Sequence, residues 1–168
     1  MIGSDTRDYK RDAGDKLYRR SMYTFWKRAA PPASMDILNA PTREVCTVRR
    51  DRTDTPLQAL VTLNDPQFIE AARFLAQTTL QHGGDKPEVG IDFMAKRLLC
   101  RPLRAEETKV IQGALNDLIV YYKAHPEEAK KLIAIGESKA DPAVDATTLA
   151  AWTMTANELL NLDEVLNK

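Results

Sequence analysis

Apolar residues recur along this chain at helical spacing, separated by proline-led breaks. Residues 15–29 place Tyr18, Met22, Phe25, Trp26 and Ala29 at i, i+4, i+7, i+8 and i+11, which predicts an amphipathic helix ended by Pro31-Pro32. Residues 31–54 have mixed polarity and no sustained period, and read as one long ordered loop. Thr55-Pro56 and Asp65-Pro66 each pair an N-cap side chain with proline at the first helical position. They predict a short helix to Leu63 and a longer one to about Gln81, stopped by Gly83-Gly84.

Ile91, Met94, Ala95, Leu98 and Leu99 form the next stripe, over 87–99, and Arg101-Pro102 ends it. Residues 104–124 carry Ile111, Leu115, Leu118 and Tyr122 on one face, with Glu106 and Glu107 in the first turn where the helix dipole favours them. His125-Pro126 opens a short helix to Ile135, and Leu149, Trp152, Ala156 and Leu159 line a last one over 145–166. Residues 136–144 read as a polar, mobile link, and residues 1–14 as a disordered leader. Alternating strand patterns and internal repeats are missing from the sequence. The expected class is all-α: one domain over 1–168, an irregular bundle of about six helices with one Arg-rich loop.

Composition narrows the function classes. The 168 residues hold 24 Lys+Arg and 24 Asp+Glu, so the chain is not a general polyanion binder, and no nucleic-acid partner is expected. That neutrality is an average, however. Residues 1–56 carry 12 basic and 8 acidic side chains, a balance of +4, and residues 57–168 carry 12 and 16, a balance of −4. Apolar runs are too short for a membrane span, and the polar start does not read as a signal peptide. Two cysteines, Cys46 and Cys100, are too few for a cysteine-rich scaffold or a four-cysteine zinc cage; they are either two thiols or one bridge.

Two regions carry candidate chemistry. Residues 16–28 hold Lys16, Arg19, Arg20, Lys27 and Arg28 without an acid, and five of the eleven aromatics fall in the first 26 positions. On the predicted helix Lys16, Arg20, Tyr23 and Lys27 share the face away from the apolar stripe, a candidate interaction surface. The second region is the loop 43–58, where Arg43, Arg49, Arg50 and Arg52 lead into a helix N-terminus beside Gln58. Guanidinium forks there suit a small anion or an acidic glycan. The same arginines also suit a structural task, reaching back to helix-end carbonyls and acids to pin a long loop, and this is the reading the loop favours.

Catalytic chemistry is poorly supplied. His82 and His125 sit at helix ends far apart in the sequence, and no zinc-protease, Cys-x-x-Cys, phosphate-loop or dinucleotide pattern occurs. No catalytic residue, metal or cofactor is assigned.

Longer strings are more specific. Gly14-Asp15-Lys16-Leu17-Tyr18-Arg19-Arg20-Ser21-Met22-Tyr23-Thr24-Phe25-Trp26-Lys27-Arg28, Ala40-Pro41-Thr42-Arg43-Glu44-Val45-Cys46, Arg52-Thr53-Asp54-Thr55-Pro56-Leu57-Gln58-Ala59-Leu60, Leu63-Asn64-Asp65, Ala151-Trp152 and Leu159-Leu160-Asn161-Leu162-Asp163-Glu164 stand out. Together they resemble the planctomycete-type domain of unknown function found at the C-terminal end of large exported proteins, often beside a cytochrome c domain. The resemblance implies an extracytoplasmic bacterial protein in which this chain is the C-terminal portion of the family domain. It also implies that the partners are other domains of the same polypeptide. It supplies no catalytic residues. The expected function is a non-catalytic helical module for interdomain packing or protein interaction, with anion or acidic-glycan binding by the 43–58 loop as the alternative.

Overall fold

The computed structural model describes residues 9–27, 30–83 and 86–167, and among them every regular element is helical. Two short 3-10 turns, Gly14–Tyr18 and Ser21–Tyr23, precede eight α-helices. These are α1 (Ala33–Ile37), α2 (Pro56–Asn64), α3 (Pro66–Gly83), α4 (Pro87–Leu99), α5 (Ala105–Ala124), α6 (Pro126–Ile133), α7 (Ala146–Leu160) and α8 (Asp163–Leu166). Where one domain over 1–168 is expected, the contacts form two compact units, Met1–Val61 and Thr62–Lys168.

Helix starts follow the cap and proline signals. Proline opens α2, α3, α4 and α6, where its missing N–H leaves no unpaired donor. Before α2, the Thr55 Oγ1 accepts from the Gln58 N–H at 3.3 Å while the Gln58 Oε1 accepts from the Thr55 N–H at 3.0 Å, a reciprocal capping box. Asp65 accepts from the Gln67 N–H at 2.8 Å ahead of α3. Ahead of α7, the Asp145 carboxylate accepts from the Thr147 hydroxyl, the Thr148 N–H and the Thr148 hydroxyl. Those bonds, the Thr147 hydroxyl first, hold its pKa below the ordinary aspartate value.

The second unit owns the hydrophobic core. Leu149, Trp152, Ala156 and Leu159 on α7 are buried as the stripe predicts, and α7 packs against α3, α5 and α6. Ile91, Met94 and Leu115 are fully buried alongside them, with Tyr122 at the edge. Gly90 sets the closest approach: a Cβ there would stand 2.6 Å from a Trp152 ring carbon and 3.0 Å from the Thr79 methyl. Thr153 and Thr155 are buried on α7 because their hydroxyls donate to Leu149 O at 2.7 Å and Ala151 O at 3.0 Å, one turn back.

A buried polar pair ties the link after α6 to α3. Arg73, 1% exposed, donates to the Ile133 and Ile135 carbonyls and to both the carbonyl and hydroxyl of Ser138, the last two at 2.7 Å. Glu70, one turn earlier, accepts from the Glu137 and Ser138 N–H groups at 3.2 and 2.7 Å and lies 3.7 Å from the guanidinium. Gly136 has φ +101° and a notional Cβ would meet the Glu70 carboxylate at 2.6 Å, so both backbone and space require glycine. The first residues of the 136–144 link are therefore held by a buried charge pair, of which the Arg73 Nε alone finds no acceptor.

Three expectations are corrected. Residues 15–29 do not form one α-helix: the described part makes two 3-10 turns separated by extended residues, and Arg28 and Ala29 lie outside the described residues. The apolar stripe there has no buried partner, and an isolated helix of that length is marginal without one. The loop 31–54 contains a single helical turn, α1. The final helix breaks at Asn161–Leu162, where Thr62 donates to the Asn161 Oδ1 and Leu162 turns extended before Asp163 and Glu164 open α8. Residues 9–13 of the expected leader have no regular structure, and residues 1–8, like Gly84, lie outside the described residues.

Candidate functional site

The loop 43–58 lies in the first unit, and its five candidate residues divide into two sets. Arg43, exposed but held by loop backbone, has φ 65°, a conformation that side-chain-bearing residues adopt only when something holds them. Its guanidinium donates to Ser21 O at 2.9 Å and Thr24 O at 3.1 Å, and stands 5.4 Å from the centre of the Trp26 ring. It thereby takes carbonyls that a continuous helix over 15–29 would have used internally. Gln58 is buried and donates to Ile37 O at 2.9 Å and Thr53 Oγ1 at 2.7 Å, besides its part in the capping box. Both side chains tie loop backbone together. Arg49, Arg50 and Arg52 are exposed, in a stretch from Pro41 to Leu57 that is exposed throughout.

The candidate interaction surface has no helical face. Lys16, Arg20 and Tyr23 are exposed and Lys27 is half-buried, but they sit on the two turns and the extended chain after them. Of the apolar residues expected behind them, Tyr18 is 60%, Met22 68% and Phe25 62% exposed, and Trp26 is half-buried; Tyr23 itself is 63% exposed. Among the described residues of this unit only Pro32 and Gln58 are buried. Cys46, in the first unit, and Cys100, in the second, are both exposed. Cys100 adopts φ 58° as the residue that ends α4.

Sequence reasoning missed a second feature, inside the second unit. The C-terminal end of α4, the following turn, α5, the last turns of α7 and α8 line an open cavity of about 720 Å³. Leu99, Leu103, Val110, Ile111 and Leu159 supply apolar wall, and the charged lining comprises Arg101 and five acids. Arg101 engages two of those acids. It grips Glu107 with Nη1 and Nη2 at 2.9 and 3.1 Å, and Glu164 with Nε and Nη2 at 3.0 and 2.8 Å. Glu107 also accepts the Arg104 N–H at 2.8 Å at the start of α5. The Arg101 hydrogen bonds, then the Arg104 N–H, hold the Glu107 pKa down to about 2. Glu158, an exposed residue, lies on the same cavity, and partial desolvation of its carboxyl pushes its pKa up. The one sequence signal for it is a carboxylate set directly beside the inward stripe, at Asn157-Glu158-Leu159. Four separate elements assemble the cavity, so no local pattern marks it.

Among the described residues no group of three or more His, Cys, Asp or Glu could hold a metal ion, and no helix is long and apolar enough to cross a membrane. Residues 2–115 match the model of the family PSD1, a protein of unknown function (DUF1553). The match ends within α5, so α6, α7, α8 and the Ala151-Trp152 string lie beyond it. No curated protein and no solved structure matches the chain.

Proposed function

The chain belongs to the DUF1553 family of unknown function, and from that premise we propose that it is a non-catalytic helical module of a larger exported bacterial protein. Its role in this reading is packing against neighbouring domains of the same polypeptide. One observation carries it: Tyr18, Met22, Tyr23 and Phe25 are each 60–68% exposed in a unit that buries almost nothing of its own. Clustered open aromatics of this kind are a usual mark of a surface that another protein covers. Exposed Lys16 and Arg20 beside them favour a partner surface that is apolar at its centre and acidic at its edge. The extracytoplasmic setting rests on the resemblance of the Arg19-Arg20-Ser21 to Arg28 and Thr55-Pro56-Leu57 strings. A role for the 43–58 loop in binding acidic glycan or a small anion draws on the exposure of Arg49, Arg50 and Arg52.

Placing a photo-crosslinking residue at Met22 in the full native polypeptide tests the reading. Crosslinks to another domain of that polypeptide are expected. Crosslinks confined to residues 1–168, or none at all, would refute it. A parallel titration with a sulfated glycan at two salt concentrations addresses the loop; salt-sensitive binding lost in the Arg49, Arg50 and Arg52 alanine variant would favour the anion reading instead.

A further inference from the structure

We propose that the cavity bounded by α4, α5, α7 and α8 is a binding site for a small organic cation, an ammonium or guanidinium group carried on an apolar body. Its volume, about 720 Å³, lies in the range of small-molecule sites, which run from roughly 300 to 1,000 Å³. The wall is mostly apolar: Leu99, Leu103, Val110, Ile111 and Leu159 would contact the ligand's hydrocarbon part. Val110 is 72% exposed despite facing this concavity, so apolar surface is still open to water at the mouth.

Charge selects the ligand's polar end. Five carboxylates line the cavity against one guanidinium, that of Arg101. Arg101 is committed to Glu107 and Glu164, leaving it poorly placed to receive an anion and leaving the lining negative. Glu158 stands apart from that triad, projecting from α7 beside the buried Leu159. Glu158 is exposed at the edge of the cavity, where a cation brought in on an apolar body would find a charge-assisted partner while its hydrocarbon part lies on the apolar wall. An anionic ligand would meet the acids, and a neutral one would leave Glu158 as it is. This site is independent of the aromatic surface in the first unit, and its test has no bearing on that reading.

The probes are three isosteric phenylalkyl compounds, 4-phenylbutylamine, 4-phenylbutanol and 4-phenylbutyrate, titrated into the full chain while amide shifts of α5, α7 and α8 are followed. The amine is expected to bind at the cavity about tenfold more tightly than the alcohol, the effect of one charge-assisted bond of about 1.4 kcal/mol. The carboxylate is expected to bind weakest. Glu158→Gln should remove the amine's advantage and leave the alcohol unchanged, while Val110→Trp, which fills the mouth, should weaken both. Equal affinity for all three compounds, no binding of any, or an amine advantage that survives Glu158→Gln would overturn the proposal.

Discussion

The two units of this chain solve the problem of ordering a backbone in opposite ways. Thr62–Lys168 buries a continuous apolar core around α7, with Ile91, Met94, Leu115, Leu149 and Ala156 at zero exposure. The described residues of the first unit, Met1–Val61, form no such core and are joined by polar fastenings: Arg43 on two carbonyls, Asn39 on Thr53 at 2.6 Å, and Gln58 on Ile37 and Thr53. Polar fastenings define a conformation but each contributes little net stability, because water competes for the same groups. Apolar burial stabilises in proportion to area and is the main source of folding free energy. The contrast teaches that stability resides in the second unit, whereas the first presents a shaped surface whose apolar residues are left uncovered.

Mutations sharpen the contrast. The largest effect is expected from Trp152→Ala, which empties the space beside Gly90 and should cost about 4 kcal/mol in urea unfolding. Arg73→Met comes next, at about 3 kcal/mol, because Glu70 would keep a buried charge with its cation gone and the 133–138 carbonyls would lose their donor. Phe25→Ser in the first unit should change stability by less than about 0.5 kcal/mol, the usual range for exposed positions. A loss at Phe25 comparable to that at Trp152 would break the comparison.

Acid provides a subtler probe. Glu107 is held at about 2 against an ordinary 4.5, so it favours the folded state fully above pH 4.5 and loses that contribution as pH falls toward 2. Arg101→Met removes the cause, and the variant's urea midpoint should fall less steeply across that window than the parent's. Both groups are solvent-accessible, so the difference will be small and will shrink in high salt. Identical slopes would show that the Arg101 fork does not persist in solution.

Much of the second unit was legible in the sequence, and the reason is local. Proline at N1 with a preceding cap fixes where α2 and α3 begin, and the stripes of α4, α5 and α7 name residues that are buried or, at Leu98, Ile111 and Leu118, half-buried against the core. The first unit was misread because helical spacing at Tyr18, Met22 and Phe25 is evidence of a helix only when a neighbour covers the stripe. Here the Ser21 and Thr24 carbonyls go to Arg43, from 19 to 22 residues away. Gln58 was read as a ligand candidate from its place near arginines, although the Thr55-to-Gln58 spacing also spells a capping box. The break at Asn161 and the cavity at Glu158 depend on contacts between segments distant in sequence, which no periodicity encodes.

Backbone hydrogen exchange over the whole chain tests most directly the claim that one unit carries the stability and the other an uncovered surface. The account predicts that amides of α3, α5 and α7 exchange only through global unfolding, whereas amides of residues 14–27 exchange orders of magnitude faster. Protection in residues 14–27 equal to that of α7 would contradict it, since it would require a buried core that the described residues of the first unit do not form.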